Sequence, residues 1–135
     1  MLFRSRTFFN FRGVSCSVNP NLGREGEFPL LPAARPRKVA VMGGGIAGLE
    51  AARVLHLRGH DVTIFERRAF LGGVGVEGSV ADFKSDYRFF VDYQVAQVKK
   101  LGIPVVHKAA TAADAQGLKH LGITMMTNQR RLLVE

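Results

Sequence analysis

Three glycines with the spacing G-x-G-x-x-G, Gly43, Gly45 and Gly48, follow directly after the apolar run 39–42. In a dinucleotide-binding site, each of these positions requires glycine for a steric reason. The first glycine permits a tight turn out of a strand, and the second lets backbone approach a pyrophosphate. The third lets the following helix pack closely on the strand. The helix N-terminus then offers unpaired N–H groups and the positive end of its dipole to the phosphates. The sequence therefore predicts a strand, a turn and a helix that bind a dinucleotide.

An acidic residue closes the next apolar run, residues 62–65. This residue, Glu66, lies twenty-three positions after Gly43, where a carboxylate can accept hydrogen bonds from a ribose 2′-hydroxyl. The same charge repels a 2′-phosphate, which favours FAD or NAD over NADP, although Arg67 and Arg68 follow at once and soften the discrimination. A plain glycine-rich turn is the alternative interpretation, and the strand, helix, second strand and acid in register argue against it.

Gly72 and Gly73 belong to a second glycine-rich loop, residues 71–75. Backbone without side chains, at this distance from Glu66, can contact the other side of a pyrophosphate. A mobile loop without a ligand is the alternative, and the pattern does not decide between the two.

The rest of the pattern predicts further helices and strands. Gly59 is expected to cap the first helix. A second helix starts at Asp82 as N-cap and stops at Gly102, with its aromatic residues in the core. Its apolar stripe comprises Phe83, Tyr87, Phe90, Val91, Val95, Val98 and Leu101. A strand over 103–107, a helix over 109–121 and a strand over 123–127 follow.

The predicted fold class is α/β: a Rossmann-like βαβαβ arrangement in three layers, with a parallel sheet of three or four strands, forming a partial FAD/NAD(P)-binding domain. Residues 37–127 form this domain, residues 1–36 an irregular segment and linker, and residues 128–135 a tail. Without further strands, we expect the flank of the first strand to be an open apolar edge.

Composition narrows the function classes. The chain has 135 residues, room for one domain at most, and no stretch of about 20 apolar residues that spans a membrane. Its net charge of +8 comes from scattered basic pairs, which argues against nucleic acid as a partner. No nucleophile elbow, carboxylate pair or spaced metal ligands are present, so no catalytic residue and no metal site are predicted.

The predicted location is the cytoplasm. The mitochondrial matrix is the alternative, because the first twenty-four residues hold four arginines and no Asp or Glu.

Three stretches resemble one family. They are SCSVNP at 15–20 with GRE at 23–25, the run 38–66 with the later residues 71–73, and FKSDYRFFVDYQVAQVKKLGI at 83–103. They are similar to the C-terminal region of the old yellow enzyme-like NADH:flavin oxidoreductases, of the type that includes 2,4-dienoyl-CoA reductase and trimethylamine dehydrogenase. The resemblance implies a module that binds FAD, or only ADP, beside a barrel that holds FMN and a 4Fe–4S cluster.

By this resemblance the residues that contact the dinucleotide are Gly43, Gly45, Gly48, Glu66, Arg67, Gly72 and Gly73. Cys16 matches the last of four cluster ligands, but the other three cysteines are missing, so it cannot hold a cluster. Val74 stands where the family has a polar residue, and the sequence past Gly122 departs from the family. We therefore expect FAD binding without turnover by this chain alone. The alternative is a non-catalytic ADP-binding module that docks to a separate barrel subunit.

Overall fold

A computed structural model describes residues 16, 18–19, 21–27, 29–120 and 122–127. The chain divides into two compact units, Met1–Leu31 and Pro32–Glu135. The first unit contains short turns and the half-buried free thiol of Cys16. Most of the arginine-rich N-terminal segment and the whole predicted tail, 128–135, lie outside the described residues. No helix in the described part of the chain is long and apolar enough to cross a membrane.

The second unit is built on a sheet of four parallel strands in the order β3-β2-β1-β4. The strands are β1 Lys38–Met42, β2 Asp61–Glu66, β3 Val105–His107 and β4 Thr124–Thr127. In the register, Val39 lies opposite Val62 of β2 on one side and Thr124 of β4 on the other. The predicted parallel α/β sheet is confirmed. The expected open flank of the first strand is wrong, because β4 covers it.

The strands alternate with helices. These are α1 Ile46–Leu57, α2 Val74–Gly78, α3 Ser85–Lys100 and α4 Ala112–His120, with a 3₁₀ turn at Asp82–Lys84. Helices α1 and α3 pack against each other on one face of the sheet. The chain then crosses back past β1 to β4, and the right-handed rule for parallel crossovers predicts that α4 lies on the opposite face. The strand order thus reverses between β1 and β4, and in such sheets ligands bind at the carboxyl ends of the strands beside that point.

The core lies between the sheet and the pair α1 and α3. Apolar runs in β1 and β2 supply one side, and Leu49 of α1 and Val98 of α3 close it with no exposed surface. Its buried members are Val39, Val41, Leu49, Ala52, Val62, Ile64, Val98 and Ile103. The predicted glycine stops of both helices are confirmed: Gly59 has φ +89° and Gly102 φ +65°, the left-handed conformation that ends a helix.

Two predictions about α3 are wrong. Asp82 does not cap it; Asp82 opens the 3₁₀ turn, and α3 begins at Ser85 without a side-chain capping bond. The aromatic residues are also not core, since Phe83 is 85% exposed. The later helix start places Phe83 before the helix, and the buried stripe consists of Val91, Gln94 and Val98.

The predicted glycine loop 71–75 is also shorter than expected. It is a turn that leads into α2, where Gly75 N–H bonds to Gly72 O at 3.1 Å. A Cβ on Gly75 would lie 3.1 Å from Val91 Cγ2, so the absence of a side chain lets α2 pack on α3.

Two other elements are shorter than the sequence pattern suggests. Strand β3 starts at Val105 because Pro104 has no N–H; its carbonyl still accepts from Ile64 N–H at 2.9 Å. Helix α4 starts at Ala112 because Thr111 and Asp114 form a reciprocal capping box. The ammonium of Lys108, together with Thr111, holds the pKa of Asp114 well below its usual range.

Candidate dinucleotide site

The glycine turn after β1 is fixed by one close backbone contact. Gly43 has φ +105° and donates its N–H to Phe65 O at 2.8 Å, which ties the turn to β2. A Cβ on Gly48 would lie 1.9 Å from Gly43 O, so only glycine fits at this position of α1. The helix therefore begins in direct backbone contact with the turn.

The N-terminus of α1 has no side-chain cap. Gly45 is its N-cap residue, and its first turn carries no acidic residue. The first helical bond runs from Leu49 N–H to Gly45 O at 2.9 Å, so the N–H groups before it have no intrahelical acceptor. A Cβ on Gly45 would meet no atom within 4 Å. This end of α1 can accept an anion close to the backbone.

Glu66, at the end of β2, is held by backbone. It is 6% exposed. Its Oε2 accepts from Gly44 N–H at 2.6 Å, and its Oε1 accepts from Arg68 N–H at 2.8 Å. A carboxylate oxygen has two acceptor positions, so each oxygen keeps one for a further donor.

Gly44 was not singled out from the sequence, because the motif leaves its position unspecified. A Cβ there would lie 2.5 Å from Leu71 Cδ2 and 3.3 Å from Glu66 Oε2. Its carbonyl accepts from Gly72 N–H at 2.8 Å. The only sequence signal was the unbroken run of three glycines, 43–45.

The second glycine segment lies against the first. Gly72 and Gly73 have φ +104° and +57°, and Gly72 forms a parallel bridge with Gly45. A Cβ on Gly73 would lie 3.1 Å from Gly45 Cα. The two glycine segments therefore form one backbone surface beside the start of α1.

A cleft opens at the carboxyl ends of β1 and β2. It is lined by Met42, Gly43, Phe65, Glu66, Arg67, Ala109 and Ala110. The two arginines after Glu66 differ: Arg67 is exposed at this cleft, whereas Arg68 pairs with Glu77 at 2.7 Å and lies 5.5 Å from the Phe70 ring centroid. Of the two arginine side chains, only that of Arg67 thus lies beside the predicted ribose site.

His107 of β3 also reaches this region and was missed at the level of sequence. It is the register partner of Glu66, and its Nδ1 lies 2.6 Å from Arg68 O. The available signal was a polar residue at the carboxyl end of the third strand. The structure brings all seven predicted residues to one end of the sheet. Gly44 and Arg68 donate hydrogen bonds to Glu66, Leu71 lies beside Gly44, and His107 bonds to Arg68.

A polar cluster lies between α1 and α3. Arg53 donates to both oxygens of Glu50, at 2.8 and 2.7 Å, and lowers the pKa of that carboxyl. Gln94, 4% exposed, donates to Glu50 at 3.2 Å. Its Oε1 is the one buried side-chain polar atom in the described ranges without a hydrogen-bond partner. No three His, Cys, Asp or Glu side chains in these ranges form a metal-binding group.

Comparison with known proteins agrees with this geometry. Residues 41–98 match the family model of the NAD(P)-binding Rossmann-like domain. Cinnamate reductase of Clostridium sporogenes is 46% identical over 113 residues, which cover 84% of this chain and 17% of that protein. The relatives that the chain matches are reductases and dehydrogenases of the old yellow enzyme-like family, the type that includes 2,4-dienoyl-CoA reductase and trimethylamine dehydrogenase.

Further members of the old yellow enzyme-like family show the same partial match. The multifunctional alkene reductase/demethylase of Caballeronia cordobensis is 36% identical, with 71% of this chain and 14% of that protein covered. The structure of a 2-naphthoyl-CoA reductase complex superposes with a TM-score of 0.74 at 36% identity, covering 82% of this chain and 17% of that one. The chain thus spans about a sixth of the length of these relatives and carries their nucleotide-binding Rossmann domain.

Proposed function

We propose that the chain binds the ADP moiety of FAD at the carboxyl ends of β1 and β2. The observation that carries this proposal is the buried Glu66 carboxylate, fixed by Gly44 N–H beside the uncapped start of α1. In this assignment the N-terminus of α1 and the bare backbone at Gly45 hold the pyrophosphate, and Glu66 accepts the ribose hydroxyls. Gly43 and Gly48 shape the turn.

The remaining assigned residues complete the site. Gly72 and Gly73 hold the other side of the pyrophosphate, supported by their contacts with the first glycine segment. Arg67, exposed at the cleft, contacts the adenosine half by charge or by stacking on the adenine.

Specificity against NADP follows from charge. The Glu66 carboxylate is buried, and a 2′-phosphate placed beside it would meet an unscreened negative charge. Because Arg68 is engaged by Glu77, Arg67 alone is available to offset this repulsion. The charge of Glu66 favours FAD or NAD over NADP, and the similarity to flavin-dependent reductases supports FAD.

The chain's own residues bind and orient the cofactor. Bound FAD supplies the hydride and electron chemistry. We propose that this chain alone does not turn over, a view supported by its span of 17% of cinnamate reductase and by the resemblance, which assigns the barrel with FMN and the 4Fe–4S cluster to other parts of such enzymes.

The test is a calorimetric titration of the purified chain with FAD and with ADP, followed by an assay with NADH, FAD and an artificial acceptor. We expect both ligands to bind with similar affinity and the assay to show no protein-dependent turnover. Absence of ADP binding contradicts the site, and robust turnover contradicts the proposed inactivity.

A second candidate function is docking to a separate polypeptide that carries the barrel. The observation that favours it is a set of exposed aromatic side chains around the start of α3: Phe83, Phe89 at 69% and Tyr93 at 52% exposure. Outward-facing aromatic residues are enriched where proteins associate. Co-purification with a barrel-bearing polypeptide of the family, lost in the Phe89→Asp/Tyr93→Asp variant, is the expected result; equal recovery of wild type and variant contradicts it.

A further inference from the structure

His107 makes an unusual contact for an exposed strand-end residue. Its Nδ1 lies 2.6 Å from Arg68 O, across the gap between β3 and the loop after β2. A carbonyl oxygen only accepts, so Nδ1 must carry the hydrogen and donate it. The bond therefore exists in the Nδ1–H tautomer and in the imidazolium alike.

Arg68 connects His107 to the Glu66 carboxylate by a second hydrogen bond. Arg68 accepts from His107 at its carbonyl and donates its N–H to Glu66 Oε1 at 2.8 Å. Glu66 Oε2 in turn holds Gly44 N–H. A continuous series of hydrogen bonds thus runs from the end of β3 to the glycine turn after β1.

His107 also lies two residues before the part of the chain that reaches the cleft. Ala109 and Ala110 line the cleft together with Glu66 and Arg67. The end of β3 is therefore connected to the Glu66 carboxylate by hydrogen bonds and continues directly into the cleft lining.

We infer that His107 is a positioning residue for recognition of the ribose 2′-hydroxyl: through Arg68 it holds Glu66 in the orientation that accepts the hydroxyl. This inference rests on the proposed function. His107 itself does not contact the ligand. Because His107 acts only through Glu66, its replacement should weaken recognition of the hydroxyl alone, and this distinguishes the inference from a general role of His107 in stabilising the end of β3.

The experiment compares ADP with 2′-deoxy-ADP, which lacks only the hydroxyl. Calorimetric titrations use the wild-type chain, His107→Leu and His107→Asn. The Asn amide nitrogen occupies nearly the place of Nδ1 and can donate to Arg68 O. We expect the wild type to prefer ADP about tenfold, the value of one hydrogen bond to a charged acceptor. The preference should fall to about twofold in His107→Leu and return in His107→Asn.

The matched control is His56→Leu. His56 lies in the last turn of α1, and α1 runs opposite to the strands, so His56 lies at the other end of the sheet. This control should keep the wild-type preference. An unchanged preference in His107→Leu, or an equal loss of affinity for both ligands, overturns the inference while the proposed function stands. Absence of ADP binding by the wild type overturns both.

Discussion

Gly44 donates its backbone N–H to Oε2 of Glu66 at 2.6 Å, although the two residues lie twenty-two positions apart in the chain. The bond joins the turn after β1 to the end of β2, the two places where the proposed site meets the pyrophosphate and the ribose. It also explains why Glu66 is buried as a charged residue: both of its oxygens are held by backbone donors. The Glu66 carboxylate thus both links the two loops and is the proposed acceptor for the ribose hydroxyl.

Replacement of Glu66 should affect both stability and ADP binding. In Glu66→Ala the N–H groups of Gly44 and Arg68 lose their acceptor, so we expect the free energy of unfolding to fall by about 1–3 kcal/mol and ADP binding to disappear. Urea denaturation and calorimetry measure the two effects. The control Glu77→Gln changes an exposed carboxylate outside the cleft and should keep ADP binding. Full ADP affinity in Glu66→Ala would exclude Glu66 from the site.

Alanine substitutions at two glycines of the motif should differ in their effects: one should lower stability and the other should lower ADP affinity. Gly48→Ala places a Cβ 1.9 Å from Gly43 O, so backbone must move, at a cost of about 1–3 kcal/mol in unfolding free energy. Gly45→Ala meets no atom within 4 Å and has φ −76°, which alanine adopts readily. Its stability should stay equal or rise by up to about 1 kcal/mol, while ADP affinity falls because the methyl group occupies the approach of the phosphate. Undiminished ADP affinity in Gly45→Ala would contradict the proposed pyrophosphate position.

Some elements of the fold and site could be predicted from the sequence alone, and others could not. Apolar runs and glycine spacing were enough for β1, α1, β2 and the placement of Glu66, because each depends on local pattern. The bond from Glu66 to Gly44 and the bond from His107 to Arg68 depend on how loops from different strands meet, and no local pattern encodes that. The aromatic residues near α3 were misplaced because their spacing suited the buried face of a helix, but Phe83 lies before the helix and the buried face is formed by Val91, Gln94 and Val98.

Buried and exposed residues of α3 should contribute very differently to stability. Val98 is fully buried, and Val98→Ala should cost about 1.5–3 kcal/mol of unfolding free energy. Phe89 is exposed on the same helix, and Phe89→Ala should change the unfolding free energy by no more than about 0.5 kcal/mol. Thermal or urea unfolding of the two variants tests this. A larger loss for Phe89→Ala than for Val98→Ala would mean that the aromatic residues do form the core.

Stability should also depend on pH through Glu50. Hydrogen bonds from Arg53 lower the pKa of Glu50 below its ordinary 4.5. A carboxyl with a lowered folded-state pKa stabilises the fold fully above its unfolded pKa, and this contribution is lost as the pH falls through the lowered value. Glu50→Gln should therefore lose less stability than the wild type as the pH falls below about 5. Asp92→Asn, exposed on α3, serves as control, and parallel acid curves for Glu50→Gln and wild type would contradict the assigned pKa.

The most direct test of the proposed site is an amide ¹H–¹⁵N NMR titration of the ¹⁵N-labelled chain with ADP. We expect saturable shifts concentrated in the glycine turn and the first turn of α1, at Gly45, Ile46 and Ala47, together with Arg67 and Gly73. Amides in the last turn of α1 should stay unchanged. Shifts that avoid the glycine turn, or no saturable shifts at all, would contradict the assignment of this end of the sheet as an adenine-dinucleotide site.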